Sequence, residues 1–145
     1  MRRILTTLAI ALGLVVSSWT GSHADPLSPV GRHRQCRYES SNGHAGYTDW
    51  EARQTIRCAV DHFPTSLATA FYVAARESGY ECKAQNPVSS ATGVYQVVSG
   101  TWESWWSVLA PRLEGWGIRN NRRLCRANIL VSIASAHRWG WSPWS

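Results

Sequence analysis

Three features of the sequence predict a mainly α-helical domain, interrupted by one small irregular or hairpin segment and stapled by two disulfides. Apolar residues recur at three- and four-residue intervals in four stretches, which places them on one face of a helix. Between the second and third stretches, residues 84–97 are rich in turn formers around short apolar pieces, enough for a loop or a small hairpin. The cysteines Cys36, Cys58, Cys82 and Cys125 are even in number, and no two lie within four residues. That spacing favours disulfides over a zinc-type Cys-x-x-Cys pair, and no metal site is expected.

The N-terminus reads as an address. Met1-Arg2-Arg3 precedes an uncharged apolar run from Ile4 to Val16, and Ser22-His23-Ala24 precedes Asp25-Pro26. A basic start, an apolar middle and a small-x-small site make a secretory signal peptide, so residues 1–24 are set apart from the fold. A buried first helix or a membrane anchor is the alternative, for which the run is short. Residues 25–47, rich in Pro, Gly, Ser, His and Arg, read as a loose N-terminal arm pinned at Cys36.

The folded domain is expected over residues 48–145. Thr48-Asp49-Trp50-Glu51 has capping-box spacing and should start a helix, with Ile56, Ala59, Val60 and Phe63 as its apolar stripe and Pro64 as its stop. A second helix should run from about Thr65 to Ser78, on Leu67, Ala70, Phe71 and Ala74, with Gly79 as C-terminal cap. Ser99 to Ala110 should be helical, with Trp102, Trp105, Trp106 and Leu109 on one side and Pro111 beyond its end. A connection rich in Gly, Asn and Arg spans 112–123. The last helix, from about Arg126 to Trp139, carries Ile129, Leu130, Ile133 and Ala136 or His137 on one face, with Gly140 at its end and an extended aromatic tail. Of three possible disulfide connectivities, Cys36–Cys58 with Cys82–Cys125 is favoured, since nested or crossed pairs would tie down more distant elements.

Fourteen Arg and one Lys face nine Asp and Glu, giving a net charge of +6; with the signal segment removed Arg2 and Arg3 leave and +4 remains. At 44% hydrophobic and 17% charged residues the chain can bury a core, which excludes a disordered protein. A basic exported domain favours an anionic partner: an envelope polymer, nucleic acid or a membrane surface. His33, His44, His62 and His137 form no metal-ligand or nuclease spacing, which argues against a secreted nuclease.

Glu77 is the main candidate for chemistry. It sits in the last turn of the second helix at the border of the apolar stripe, beside Ala70 and Val73, with Arg76 expected to point another way. Helix-end carbonyls and apolar neighbours both favour the protonated carboxyl that a general acid needs. An ordinary surface Glu at a helix border is the bland alternative.

Ala75-Arg76-Glu77-Ser78-Gly79-Tyr80, then residues 84–97 with Pro87-Val88-Ser89-Ser90-Ala91-Thr92-Gly93-Val94-Tyr95-Gln96, then Ser99-Gly100-Thr101-Trp102, together resemble the transglycosylase domain of soluble lytic transglycosylases. The resemblance covers roughly residues 55–144. It implies an α+β lysozyme-like fold, with helices around a groove, and cleavage of peptidoglycan glycan strands between N-acetylmuramic acid and N-acetylglucosamine. Glu77 would be the catalytic acid and then base, producing an anhydro sugar by attack of the muramyl 6-hydroxyl. Ser78 would stand beside the acid, Gln96 would bond the sugar N-acetyl region, and Gly93 would admit the glycan close to the backbone. Tyr95 falls where the family has a groove-lining apolar residue, with a core position as the alternative. His137, in Ala136-His137-Arg138-Trp139-Gly140, stands where the family has a Tyr that orients the acid; capping of the last helix is its alternative. If water were the nucleophile, Glu81 or Glu103 would be the second carboxyl.

Trp102, Trp105 and Trp106 read as core, with one or two as possible sugar platforms. Arg119, Arg122, Arg123 and Arg126 read as a solvated loop or as an attraction to wall carboxylates or phosphates. The resemblance thus implies a secreted, monomeric enzyme needing no cofactor, with peptidoglycan as partner and neither nucleic acid nor, after signal removal, membrane. A glycan-binding module without turnover is the second reading.

Overall fold

The computed structural model describes residues 36–38 and 48–145. The segment expected as a signal peptide and most of the expected N-terminal arm, with His33 and His44, lie outside the described residues. The described chain is mainly helical, as the sequence predicts.

Helix α1, Asp49–His62, begins with the capping box in place. Thr48 Oγ1 accepts from Glu51 N at 3.3 Å, and Glu51 Oε2 accepts from Thr48 N at 2.6 Å. This reciprocal pairing satisfies two exposed amides and explains why a charged Glu51 is buried. Helix α2, Leu67–Ser78, starts two residues later than the apolar spacing suggested. Ser66 takes the N-cap position, its Oγ accepting from Thr69 N at 3.1 Å. The helix ends at Gly79 (φ +62°), a left-handed cap that a residue without Cβ adopts at little cost.

Helix α3, Ser99–Glu114, corrects an expectation, because Pro111 lies inside it. An interior proline costs about 3 kcal/mol or more through a lost hydrogen bond and a ring clash. Leu109 before it and Leu113 after it are both buried, and four-residue spacing puts them on the same face. Burying a second leucine contributes roughly 1.5 to 3 kcal/mol, comparable with the proline cost. Helix α4, Cys125–Trp139, is the central element: every residue from Ala127 to Ala136 is buried. It packs chiefly against α1 and also against α3, while α2 packs on α1.

Residues 84–97 form an irregular segment. Isolated bridges join Gln85 to Thr92 and Thr92 to Val97, and no ladder forms among the described residues. Of the two expected alternatives, loop or small hairpin, the segment is therefore the loop. The tail is not extended either: Ser142–Trp144 is a short 3-10 helix with Trp144 buried. Pro143 suits the first turn of such a helix, where its missing N–H costs nothing.

Both expected disulfides are present, Cys36–Cys58 with Cα atoms 5.5 Å apart and Cys82–Cys125 at 4.9 Å. Closing loops with separations of 22 and 43 residues stabilises by roughly 3 to 4 kcal/mol each in the chain-entropy account. Among the described residues no helix is long and apolar enough to cross a membrane.

Candidate active site

The last turn of α2, the end of the irregular segment, the first turn of α3 and the C-terminal tail meet around a cavity of about 250 Å3. Glu77 supplies its one acidic side chain, with Gln96, Thr101, Trp105 and Trp144 among the walls. The Glu77 side chain is 25% exposed, open to a ligand but not projecting into bulk solvent.

Arg76 does not point away from Glu77 as expected. Its Nε and Nη2 donate to Glu77 Oε1 at 3.1 and 2.8 Å, and Nη2 also donates to the Trp144 carbonyl. Adjacent residues do not normally face each other on a helix. A guanidinium on a long stem reaches round the helix end here, drawn by the tail carbonyl. The Glu77 hydrogen bond holds the Arg76 guanidinium protonated above its already high ordinary value. Glu77 Oε2 makes no hydrogen bond among the described residues.

The other expected site residues separate into those at the cavity and those behind it. Gln96 lines the cavity with backbone φ +47°, a left-handed conformation that is costly for a residue with a side chain. Its Nε2 donates to Gly93 O at 2.9 Å and Ala84 O at 3.3 Å. Only Oε1 is then left to meet a ligand. Ser78 does not line the cavity; its Oγ donates to Val94 O at 2.9 Å, tying the end of α2 to the irregular segment.

Gly93 is not a point of approach for a ligand. A Cβ there would stand 2.6 Å from the Asn128 side chain, so the missing Cβ admits Asn128. Tyr95 does not line a groove: it is fully buried, and its hydroxyl donates to Ala70 O at 3.1 Å. Burial first, and then Tyr80, push its phenol well above the ordinary value. Trp144 Nε1 donates to the Tyr95 carbonyl at 2.8 Å, which seats the tail as one cavity wall.

His137 is not among the residues around Glu77. It is exposed, with Nδ1 2.8 Å from Pro64 O, and so neither orients the acid nor caps its own helix. Glu81 and Glu103 are exposed and line no part of this cavity. Trp102 and Trp106 stack in the core at 5.9 Å, whereas Trp105 lies 5.2 Å from Trp144 and faces the cavity with it. Ligand-type atoms of Cys36, Cys58 and His62 lie within 4.8 Å of one another, with the two sulfurs joined in a disulfide.

The residue that sequence reasoning missed is Asn128. Fully buried in α4, it accepts from Tyr95 N at 3.0 Å and donates to Thr92 O and Arg122 O at 3.0 and 3.1 Å. Two of these bonds hold the irregular segment that presents Gln96, and the third ties in the connection before α4. Its signal was a lone amide in the apolar middle of the last helix, since buried polar groups are mostly hydrogen-bonded.

No family model, curated protein or solved structure matches the chain. The chemistry rests on the residues themselves.

Proposed function

We propose that the protein is a secreted enzyme that cleaves peptidoglycan glycan strands between N-acetylmuramic acid and N-acetylglucosamine, with Glu77 as acid and then base. The observation that supports this best is the cavity itself: one carboxyl with an unpartnered oxygen, beside aromatic walls and a glutamine, at the end of a helix. Glu77 Oε2 delivers its proton to the glycosidic oxygen as the anomeric C–O bond breaks. Arg76 stays on Oε1 and steadies the carboxylate left behind. The carboxylate then takes the proton of the muramyl 6-hydroxyl as that oxygen bonds the anomeric carbon, which regenerates the acid and leaves an anhydro end.

Absence of a second acidic side chain from the lining supports this one-carboxyl route over water attack, for which glycosidases pair two. Gln96 Oε1 suits an N-acetyl N–H, and Trp105 suits a sugar face. The expectation of export rests on residues 1–24 and is in keeping with the two disulfides.

Incubating the protein with purified peptidoglycan and resolving soluble fragments by mass tests the reading. Fragments one water lighter than hydrolysis products are expected. Hydrated ends would replace the anhydro route, and no fragments at all would remove the enzyme.

One observation favours a second reading, a glycan-binding module without turnover. Arg76 Nε and Nη2 both donate to Glu77 Oε1, an ion pair that already occupies one oxygen of the carboxyl. Retention on wall sacculi without fragment release would decide for it.

A further inference from the structure

A second cavity, of about 350 Å3, lies where the Cys82–Cys125 disulfide, the connection after α3 and the first turn of α4 come together. It shares no lining residue with the Glu77 cavity. Five cationic side chains line it: Arg37, Lys83, Arg119, Arg123 and Arg126. No acidic side chain does.

The cations come from three separate parts of the chain: Arg37, Lys83, and the stretch that carries Arg119, Arg123 and Arg126. The two ion pairs among the described residues, Arg53–Asp49 and Arg76–Glu77, are both elsewhere. The side chains of Arg37, Lys83, Arg119 and Arg123 make no hydrogen bond among the described residues, while Arg126 Nη2 donates to Trp116 O at 3.0 Å. Like charges gathered in a concave surface repel one another, and the concavity focuses their field on whatever anion enters. The floor is apolar, formed by Ile118, Ala127 and the disulfide.

We infer that this cavity is a binding site for a phosphate ester. Five cations brought to one cavity from three parts of the chain suit a group that presents three or four oxygens around its centre. A carboxylate offers two oxygens in one plane and engages one guanidinium fork fully. The apolar floor accommodates the organic part of an ester, which free phosphate lacks. The first turn of α4 has no side-chain cap and adds its positive end on the same side.

The test is a titration of the disulfide-intact, isotope-labelled protein, followed by amide NMR at constant ionic strength. The probes are glycerol 3-phosphate, inorganic phosphate, glutarate as a dicarboxylate of similar charge, and a phosphodiester-linked polyol polymer. Saturable shifts centred on Lys83, Ile118 and Ala127 are expected with glycerol 3-phosphate, with glutarate and inorganic phosphate at least tenfold weaker. Arg119→Gln/Arg123→Gln should weaken the ester at least tenfold. Lys83→Gln should weaken it by less, and Arg112→Gln/Arg138→Gln, which removes the same charge elsewhere, should leave it unchanged. Tighter binding of the polymer per phosphate assigns the site to a polymer, and equal binding assigns it to a small ester. Shifts that do not saturate, equal affinity for glutarate, or indifference to both site variants would overturn the inference.

Discussion

The two cavities are comparable in size and opposite in chemistry. Around Glu77 one carboxyl stands among aromatic and amide walls and is matched by one arginine. Around the Cys82–Cys125 disulfide five cations stand over an apolar floor with no acid. The first arrangement suits an uncharged polar polymer at which one proton must move, and the second suits a fixed anion that is only held. The basic composition therefore says little about the Glu77 cavity: the five cations and the lone carboxyl occupy different places on the same small domain.

Predictions that would break or sharpen this contrast can be ordered by size. Glu77→Gln keeps shape and removes the proton donor. Fragment release from peptidoglycan should fall at least about 100-fold, within the range for loss of a general acid, while phosphate-ester titrations are unchanged. Retained release in this variant would place the chemistry elsewhere.

Next come the supports of the cavity. Asn128→Ala leaves the buried Tyr95 N without its acceptor and removes bonds to Thr92 O, which keeps Val97 N, and to the part-buried Arg122 O. An unsatisfied buried group costs about 1 to 3 kcal/mol, so a urea midpoint should drop. Gly93→Ala meets the same Asn128 at 2.6 Å from a backbone of φ +78° and should destabilise by a comparable amount. A neutral result for either would mean that the irregular segment is held by other contacts.

Loss of Cys36–Cys58 in a double alanine variant should cost roughly 3 kcal/mol, read by thermal melts. It should leave the Glu77 cavity unchanged and weaken phosphate-ester binding, because Arg37 is no longer tied to its cavity.

The smallest effect is at high pH. The folded Tyr95 phenol lies well above its ordinary value of 10.0, so the unfolded chain loses this proton first. Its contribution to stability is present below about pH 10 and declines as pH rises beyond it. Tyr95→Phe should flatten that alkaline decline, at a cost of about 1 kcal/mol near neutrality for the lost bond to Ala70. An unaltered alkaline slope would assign the decline to other groups.

Local signals with local causes were legible in the sequence. Thr48 and Glu51 satisfy each other across three residues, Gly79 supplies a left-handed cap, and cysteine pairing between near neighbours in the chain follows from economy of closure. The place of Glu77 on α2 fits an ordinary surface Glu as well, and only the resemblance carried by residues 75–102 singles it out. What was not legible depends on partners far along the chain. Pro111 reads as a stop until Leu113 is seen buried beyond it. Arg76 reads as pointing away until the Trp144 carbonyl is seen within its reach. Gly93 and Tyr95 read as ligand contacts because a glycine or an aromatic in a loop has the same local pattern whether it meets a sugar or the core. Asn128 is 33 residues from Tyr95, and no periodicity announces such a bond. The pocket of five cations was visible only as an arginine cluster, because Arg37 and Lys83 are brought to it by the disulfides and the fold.

The most direct measurement is the rate of fragment release from peptidoglycan by two variants with wild-type circular dichroism, Glu77→Gln and Arg119→Gln/Arg123→Gln. The account predicts that release is lost in the first and continues in the second on wall material stripped of phosphate polymers. Release that persists in Glu77→Gln, or that vanishes in the arginine variant on that stripped substrate, would contradict the division of labour between the two cavities.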